Sequence, residues 1–138
     1  MTAGYEILEH TADVGIRSWS STLEGCFEQA AYGLEEILGA ASPGSLCDQT
    51  TGVSASASNI EGLLVDFLNE LIHLHETREA MPGLIHIERM TDKELDAAVE
   101  YAPIAGEAES TGVKAATYHW VQVRETPDGV EARVYLDV

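Results

Sequence analysis

Two stretches of this chain repeat apolar residues at the spacing of an α-helix, and each begins with a helix-capping pattern. Ser21 stands three residues before Glu24, and Ser58 stands three residues before Glu61, which is the spacing of a capping box. The apolar stripes that follow are Leu23, Phe27, Ala30, Ala31, Leu34, Ile37 and Leu38, and then Ile60, Leu63, Leu64, Phe67, Leu68, Leu71 and Ile72. These patterns predict two amphipathic helices, each with one face to bury.

Most of the remaining chain alternates between apolar and polar residues, as β-strands do. The predicted strands are 5–9, 14–20, 49–58, 84–90, 94–101, 113–124 and 130–138. The last two flank Thr126-Pro127-Asp128-Gly129, a turn sequence that predicts a hairpin. We therefore expect an α+β fold over residues 1–138, a single domain in which two helices pack on one face of a largely antiparallel sheet.

The charge of the chain limits its partners. It has 24 acidic and 7 basic residues, a formal net charge of −17. Because nucleic-acid binding depends on Lys and Arg that neutralise phosphates, we expect no direct nucleic-acid binding. This acidity suits a divalent cation, a basic protein partner or simply high solubility. The N-terminus lacks a signal-peptide pattern and no apolar run approaches the length of a membrane span, so we expect a cytoplasmic protein without a membrane partner.

The end of the chain carries two adjacent carboxylates. Alternation along 130–138 places Asp137 on the face away from the apolar residues, and the α-carboxylate of Val138 follows it directly. Hard cations such as calcium bind several carboxylate and carbonyl oxygens, so this strand end offers half of a metal site. The alternative is a frayed terminus whose charges are solvated.

A third carboxylate, Asp13, lies in the short connection between the first two predicted strands, close to Gly15. Glycine lets a backbone approach a ligand closely, although an Asp in such a connection commonly caps a turn. His10 is a candidate to support this connection through hydrogen bonds. The histidines do not form the His-Glu-x-x-His pattern of a zinc hydrolase, because His73 and His75 are two residues apart and point to different sides of a helix.

One lysine is predicted to lie near the terminal carboxylates. If the last hairpin pairs without interruption, Val138 lies opposite about Thr117 and Asp137 opposite about Tyr118. Lys114 then lies about three residues beyond the chain end, roughly 10 Å along the sheet. It would pair with the carboxylates or face a partner's phosphate or acid; an ordinary surface lysine is the alternative.

Four blocks of the sequence resemble the archease family, in the order in which the family has them. They are residues 10–16 (HTADVGI), 63–72 (LLVDFLNELI), 113–119 (VKAATYH) and 136–138 (LDV). Together the blocks extend over nearly the whole chain.

This resemblance implies an accessory protein rather than an enzyme. Archeases activate the RtcB-type RNA ligase of tRNA splicing, which uses GTP; they speed formation of the ligase–GMP intermediate and allow multiple turnover. The resemblance also implies that Asp13, Asp137 and the terminal carboxylate of Val138 bind a divalent metal ion, with calcium expected, and that Lys114 is needed for activation.

Two alternatives belong to other functional classes. One is a metal-dependent phosphohydrolase in which Asp13 and Asp137 hold the catalytic ion, although the sequence lacks an evident nucleophile or general base. The other is a chaperone-like binding module, which would suppress the aggregation of unrelated proteins.

Overall fold

A computed structural model describes residues 3–9, 13–39, 49–77, 80–103, 113 and 115–137. The elements, in chain order, are β1 (Gly4–Glu9), β2 (Asp13–Ser20), α1 (Leu23–Leu38), β3 (Gln49–Ser56), α2 (Ile60–Thr77), β4 (Ala80–Met90), β5 (Glu94–Pro103), β6 (Ala115–Thr126) and β7 (Gly129–Asp137). The predicted α+β class is confirmed. The strands form two antiparallel sheets, one with the order β1-β2-β7-β6 and one with the order β3-β5-β4.

Both helices form where the apolar stripes predict them, but each is capped one residue later than expected. The hydroxyl of Thr22 accepts a hydrogen bond from the N–H of Gly25 at 3.0 Å. At the start of α2, Oδ1 of Asn59 accepts from the N–H of Gly62 at 2.7 Å. In each case the capping side chain satisfies an N–H of the first turn, which has no partner within the helix.

The apolar faces of the helices pack against both sheets in one core. Phe27 of α1 and Phe67 of α2 are fully buried, and their ring centroids lie 6.4 Å apart. Ile16 of β2 and Leu136 of β7 are buried in the same cluster. Within the described residues, no helix is both long and apolar enough to cross a lipid bilayer.

Side chains of the helices also cover strand edges. The hydroxyl of Tyr32 on α1 donates to the carbonyl of Ile85 at 3.1 Å and accepts from its N–H at 3.2 Å, on the edge strand β4. On the edge strand β6, Asn69 of α2 accepts from the N–H of Ala116 at 2.7 Å and donates to its carbonyl at 3.3 Å. These bonds satisfy backbone groups that an edge strand otherwise exposes for pairing with another chain.

Candidate metal centre

The tertiary structure brings together the two aspartates that the sequence singles out. The strand that begins with Asp13 lies beside the strand that ends with Asp137, and the two strands pair antiparallel without interruption. In this register Asp13 stands directly opposite Asp137.

Both aspartate side chains project from the same face of the four-stranded sheet. Along β7, Val134 and Leu136 are buried in the core while Asp137 is exposed, so Asp137 faces away from the helices. Residues directly opposite each other on antiparallel strands share a face, with Cβ atoms about 4.5–5.5 Å apart. The half-buried Asp13 is therefore close enough to Asp137 for their carboxylates to bind one cation, at oxygen distances of about 2.3–2.6 Å.

The negative charge of this pair is not neutralised within the described part of the chain. Neither carboxylate has a hydrogen bond or an ion pair with a described residue. Like charges directly opposite each other on a sheet are destabilising, so a bound cation would relieve their repulsion. Carboxylate oxygens are hard ligands, and this donor chemistry fits calcium or magnesium.

The pair is an incomplete site on its own. No group of three or more His, Cys, Asp or Glu side chains able to hold a metal ion occurs among the residues that the structure describes. The other predicted members of the site, His10, Lys114 and Val138, lie outside the described residues. Their roles stay predictions.

The predicted register of the last hairpin is wrong near the end of the chain. Uninterrupted pairing would place Asp137 opposite Tyr118. The structure instead pairs Asp137 with Ala115 and Tyr135 with Thr117. Near the turn, where Thr126 pairs with Gly129, the predicted register is confirmed.

An irregularity in β6 causes the difference. Five residue steps lead from Thr117 to Gln122, but only two steps lead from Tyr135 to Arg133 on the partner strand. Strand β6 thus has three extra residues here, and we call residues 118–121 the β6 bulge. Its Trp120 has a φ of 59°, which lies in the left-handed region that side chains rarely adopt.

The bulge shifts the register between the start of β6 and the end of β7. Lys114 directly precedes Ala115, and Ala115 faces Asp137 across the sheet. The prediction that Lys114 lies roughly 10 Å beyond the chain end assumes uninterrupted pairing, and this part of β6 does not pair in that way. Ala115, Asp137 and Asp13 are directly opposite one another on β6, β7 and β2, and we call such a set of facing residues a row.

An aromatic side chain that the sequence did not single out borders this row. Tyr135 stands opposite Gly15 in the next row on the same face, and its ring meets the edge of the Trp120 ring at 5.8 Å between centroids. The two-residue alternation of β7 already places Tyr135 on the face of Asp137. No comparable pattern identifies Trp120, because the bulge interrupts the alternation of β6.

Farther along the same face, two of the three arginines are paired with glutamates. Arg17 lies 3.0 Å from Glu6 and 3.5 Å from Glu131, and Arg124 lies 3.3 Å from Glu131. Arg17 and Arg124 therefore neutralise Glu6 and Glu131. Arg133 forms no ion pair with a described residue, and the aspartate pair stays without a counter-charge from the described residues.

The sequence matches a known protein family over almost its full length. The model of the archease protein family matches residues 5–138. Protein archease of Methanosarcina acetivorans is 31% identical over 142 residues, covering 97% of this chain and 95% of that protein. Protein archease of Danio rerio is 33% identical over 146 residues, covering 100% of this chain and 87% of that protein.

Solved structures agree with this match. The solution structure of Methanobacterium thermoautotrophicum protein 1598 superposes with a TM-score of 0.78 at 27% identity and covers 98% of this chain and 99% of that one. The crystal structure of a Thermotoga maritima protein described as "an archease, possible chaperone" has the same fold, with a TM-score of 0.59, 23% identity and 96% coverage of each chain. The chain belongs to the archease family.

Proposed function

We propose that this protein is a metal-binding accessory protein that activates an RtcB-type, GTP-dependent RNA ligase of tRNA splicing in the cytoplasm. It would promote formation of the ligase–GMP intermediate and allow multiple turnover. The observation that carries the proposal is the pairing of Asp13 with Asp137, two facing carboxylates without a counter-charge among the described residues.

The proposed ligands of the metal ion are Asp13, Asp137 and the carboxyl group of Val138. Calcium is the ion that we expect, because carboxylate oxygens are its usual ligands. His10 would support the connection that leads into Asp13. A divalent ion held there would supply positive charge for a phosphate oxygen.

The surface beside the aspartate pair supports a role in docking on a protein. Trp120 of the β6 bulge is 60% exposed and its ring contacts Tyr135 on the face of the aspartate pair, and Trp is among the side chains that most often dominate protein interfaces. Beside it lies a cavity of about 420 Å³, which is lined by Trp120, Val121, Gln122, Arg133 and Tyr135. An activator docked through this surface would present Asp13, Asp137 and Lys114 to its partner.

The net charge of −17 supports action on the ligase protein rather than on its RNA. A chain this acidic is repelled by RNA phosphates, whereas a protein partner needs to match it only over one interface. Lys114 would then supply a single positive charge next to the aspartate pair.

Ligase guanylylation with labelled GTP tests this proposal. The ligase is incubated with substoichiometric amounts of the native protein, of Asp137→Ala, or of Glu125→Ala, which removes an exposed carboxylate elsewhere in the same hairpin. We expect strong stimulation by the native protein and by Glu125→Ala, and at least tenfold less by Asp137→Ala. Absence of stimulation by the native protein would refute the activator role, and full stimulation by Asp137→Ala would refute the site.

Two further assays, without the ligase, distinguish the two alternative functions. Release of phosphate from nucleotides without the ligase, lost in Asp13→Ala, would indicate a metal-dependent phosphohydrolase. Suppression of aggregation of unrelated proteins that survives loss of both aspartates would indicate a chaperone-like module.

A further inference from the structure

The second sheet has an edge strand, β3, whose outer side faces a groove. In the order β3-β5-β4, β3 pairs with β5 alone among the described strands. Edge strands expose backbone donors and acceptors that can pair with a further strand.

Two hydrogen bonds establish which residues of β3 direct their N–H groups outward. The N–H of Ser56 donates to Asp66 of α2 at 3.0 Å, away from β5, while the N–H of the next residue, Ala57, donates to the β4–β5 turn at 2.9 Å. Because backbone groups alternate sides along a strand, the N–H groups of Gly52 and Ser54 point the same way as that of Ser56. The outward N–H of Ser56 is already bonded to Asp66, whereas those of Gly52 and Ser54 point into the groove.

Helix α2 forms the second wall of the groove. Cavities of about 360 Å³ and 260 Å³ adjoin at Ser54 and Glu70, and they extend the groove from Thr51 to Ser56 along β3. The smaller cavity also contacts His73 on α2. Space remains open at Gly52, where an added Cβ would meet no atom of the described residues within 4 Å.

The groove is negatively charged. The larger cavity is lined by four carboxylates, those of Asp66, Glu70, Glu94 and Asp96, and by one guanidinium, that of Arg89. This arginine is already paired with Asp96 at 2.9 Å. The remaining carboxylates are free of ion pairs with described residues, so the groove complements a positively charged ligand.

We propose that this groove binds an extended, basic segment of a partner protein, which adds to β3 as a further strand. The main chain of the segment pairs with Gly52 and Ser54, and alternate Lys or Arg side chains reach Asp66 and Glu70. Binding between an edge strand and a helix is the mode by which PDZ domains recognise peptides. This surface is separate from the aspartate pair, and its function does not depend on a metal ion.

A matched pair of variants at Gly52 tests the backbone pairing. Gly52→Pro removes the outward N–H and leaves the bonds to β5 intact, since the N–H of residue 52 does not point toward β5. Gly52→Ala keeps that N–H, and both substitutions place a Cβ in open space. The probe is a fluorescein-labelled hexapeptide of alternating Lys and Thr, whose binding to the full chain is followed by fluorescence anisotropy.

We expect the native protein and Gly52→Ala to bind this peptide equally and Gly52→Pro to bind it at least fivefold more weakly. Glu70→Gln should weaken binding about two- to fivefold at low salt, whereas Glu76→Gln, an exposed α2 residue outside the groove, should not. A hexapeptide of alternating Glu and Thr should not bind.

Three results would overturn the proposal. The first is no detectable binding of the Lys-Thr peptide by the native protein. The second is equal binding by Gly52→Pro and Gly52→Ala, or by Glu70→Gln and Glu76→Gln if Gly52→Pro does not fold. The third is a stable dimer in sedimentation that Gly52→Pro converts to a monomer, because a second copy of the chain would then be the occupant of the edge.

Discussion

The ring of Tyr135 lies across Gly15 so closely that a Cβ added to the glycine would stand 2.8 Å from Cε1 of the ring. These residues face each other on β7 and β2, one row from Asp13 and Asp137. The absence of a side chain at position 15 therefore leaves the space that the tyrosine ring occupies. Gly15 thus has a packing role beyond the backbone freedom that its sequence context indicates.

Replacing Gly15 by alanine should destabilise the protein. The new methyl group would overlap the Tyr135 ring and approach Cβ of Leu8 at 3.2 Å, and overpacking of this kind costs about 1–3 kcal/mol. Urea unfolding measures the loss. Gly52→Ala is the control, because it adds the same methyl group in open space and should leave the unfolding midpoint nearly unchanged. An equal effect of the two substitutions would contradict the packing role.

The substitution Asp13→Asn should change the stability of the protein in opposite directions with and without calcium. Without metal, Asp13→Asn removes a like-charge contact and should raise stability by a few tenths of a kcal/mol. With calcium, the native protein should gain stability as the ion binds the folded state, and Asp13→Asn should lose most of that gain. Thermal unfolding with and without calcium measures both effects. If calcium stabilises the two proteins equally, Asp13 is not a ligand.

A tag at the C-terminus should weaken calcium binding, and with it activation of the ligase, more than a tag at the N-terminus. A C-terminal tag converts the carboxylate of Val138 into an amide and removes one proposed ligand, so we expect at least fivefold weaker calcium binding. Titration calorimetry on the two tagged forms measures this difference. Equal calcium affinity would count against Val138 as a ligand.

Glu35 should make the stability of the fold depend on pH. Its Oε1 atom is buried and has no hydrogen-bond partner among the described residues, and burial raises the pKa of its carboxyl from 4.5 to about 8. Between these values the folded state holds a proton that the unfolded state has released, so stability contributed by this group is lost as pH rises from about 4.5 to about 8.

Glu35→Gln should remove this dependence. The variant should match the native protein near pH 5 and exceed its free energy of unfolding by up to about 5 kcal/mol near pH 9. Urea unfolding across that range measures the difference, with Glu76→Gln as an exposed control on the other helix. A difference that stays constant with pH would show that Glu35 is not protonated in the folded protein.

Helices and strands were largely predictable because their patterns are local. The apolar stripes around Phe27 and Phe67 identify both helices and the faces that they bury. The caps were missed by one residue because Ser21-Thr22 and Ser58-Asn59 each offer two adjacent capping side chains. Only the geometry of the first turn selects the second of each pair.

The candidate site could be predicted only in part. The sequence pointed to Asp13 and Asp137 and to the face on which Asp137 lies, because alternation along one strand determines that face. It did not predict that Ala115 faces Asp137, because the β6 bulge absorbs extra residues without a recognisable signal. Tyr135 was on the predicted face, but its contact with Gly15 requires the neighbouring strand.

By itself, therefore, the sequence determined the helices, most of the strands and the residues that carry candidate chemistry. These depend on backbone periods and burial within a few residues. Only the tertiary structure decided that the strands divide into two sheets, that β2 lies beside β7, and that Asp13 meets Asp137. Such pairings join segments far apart in the chain, and the packing of the whole core selects them over the other pairings that the same local patterns allow.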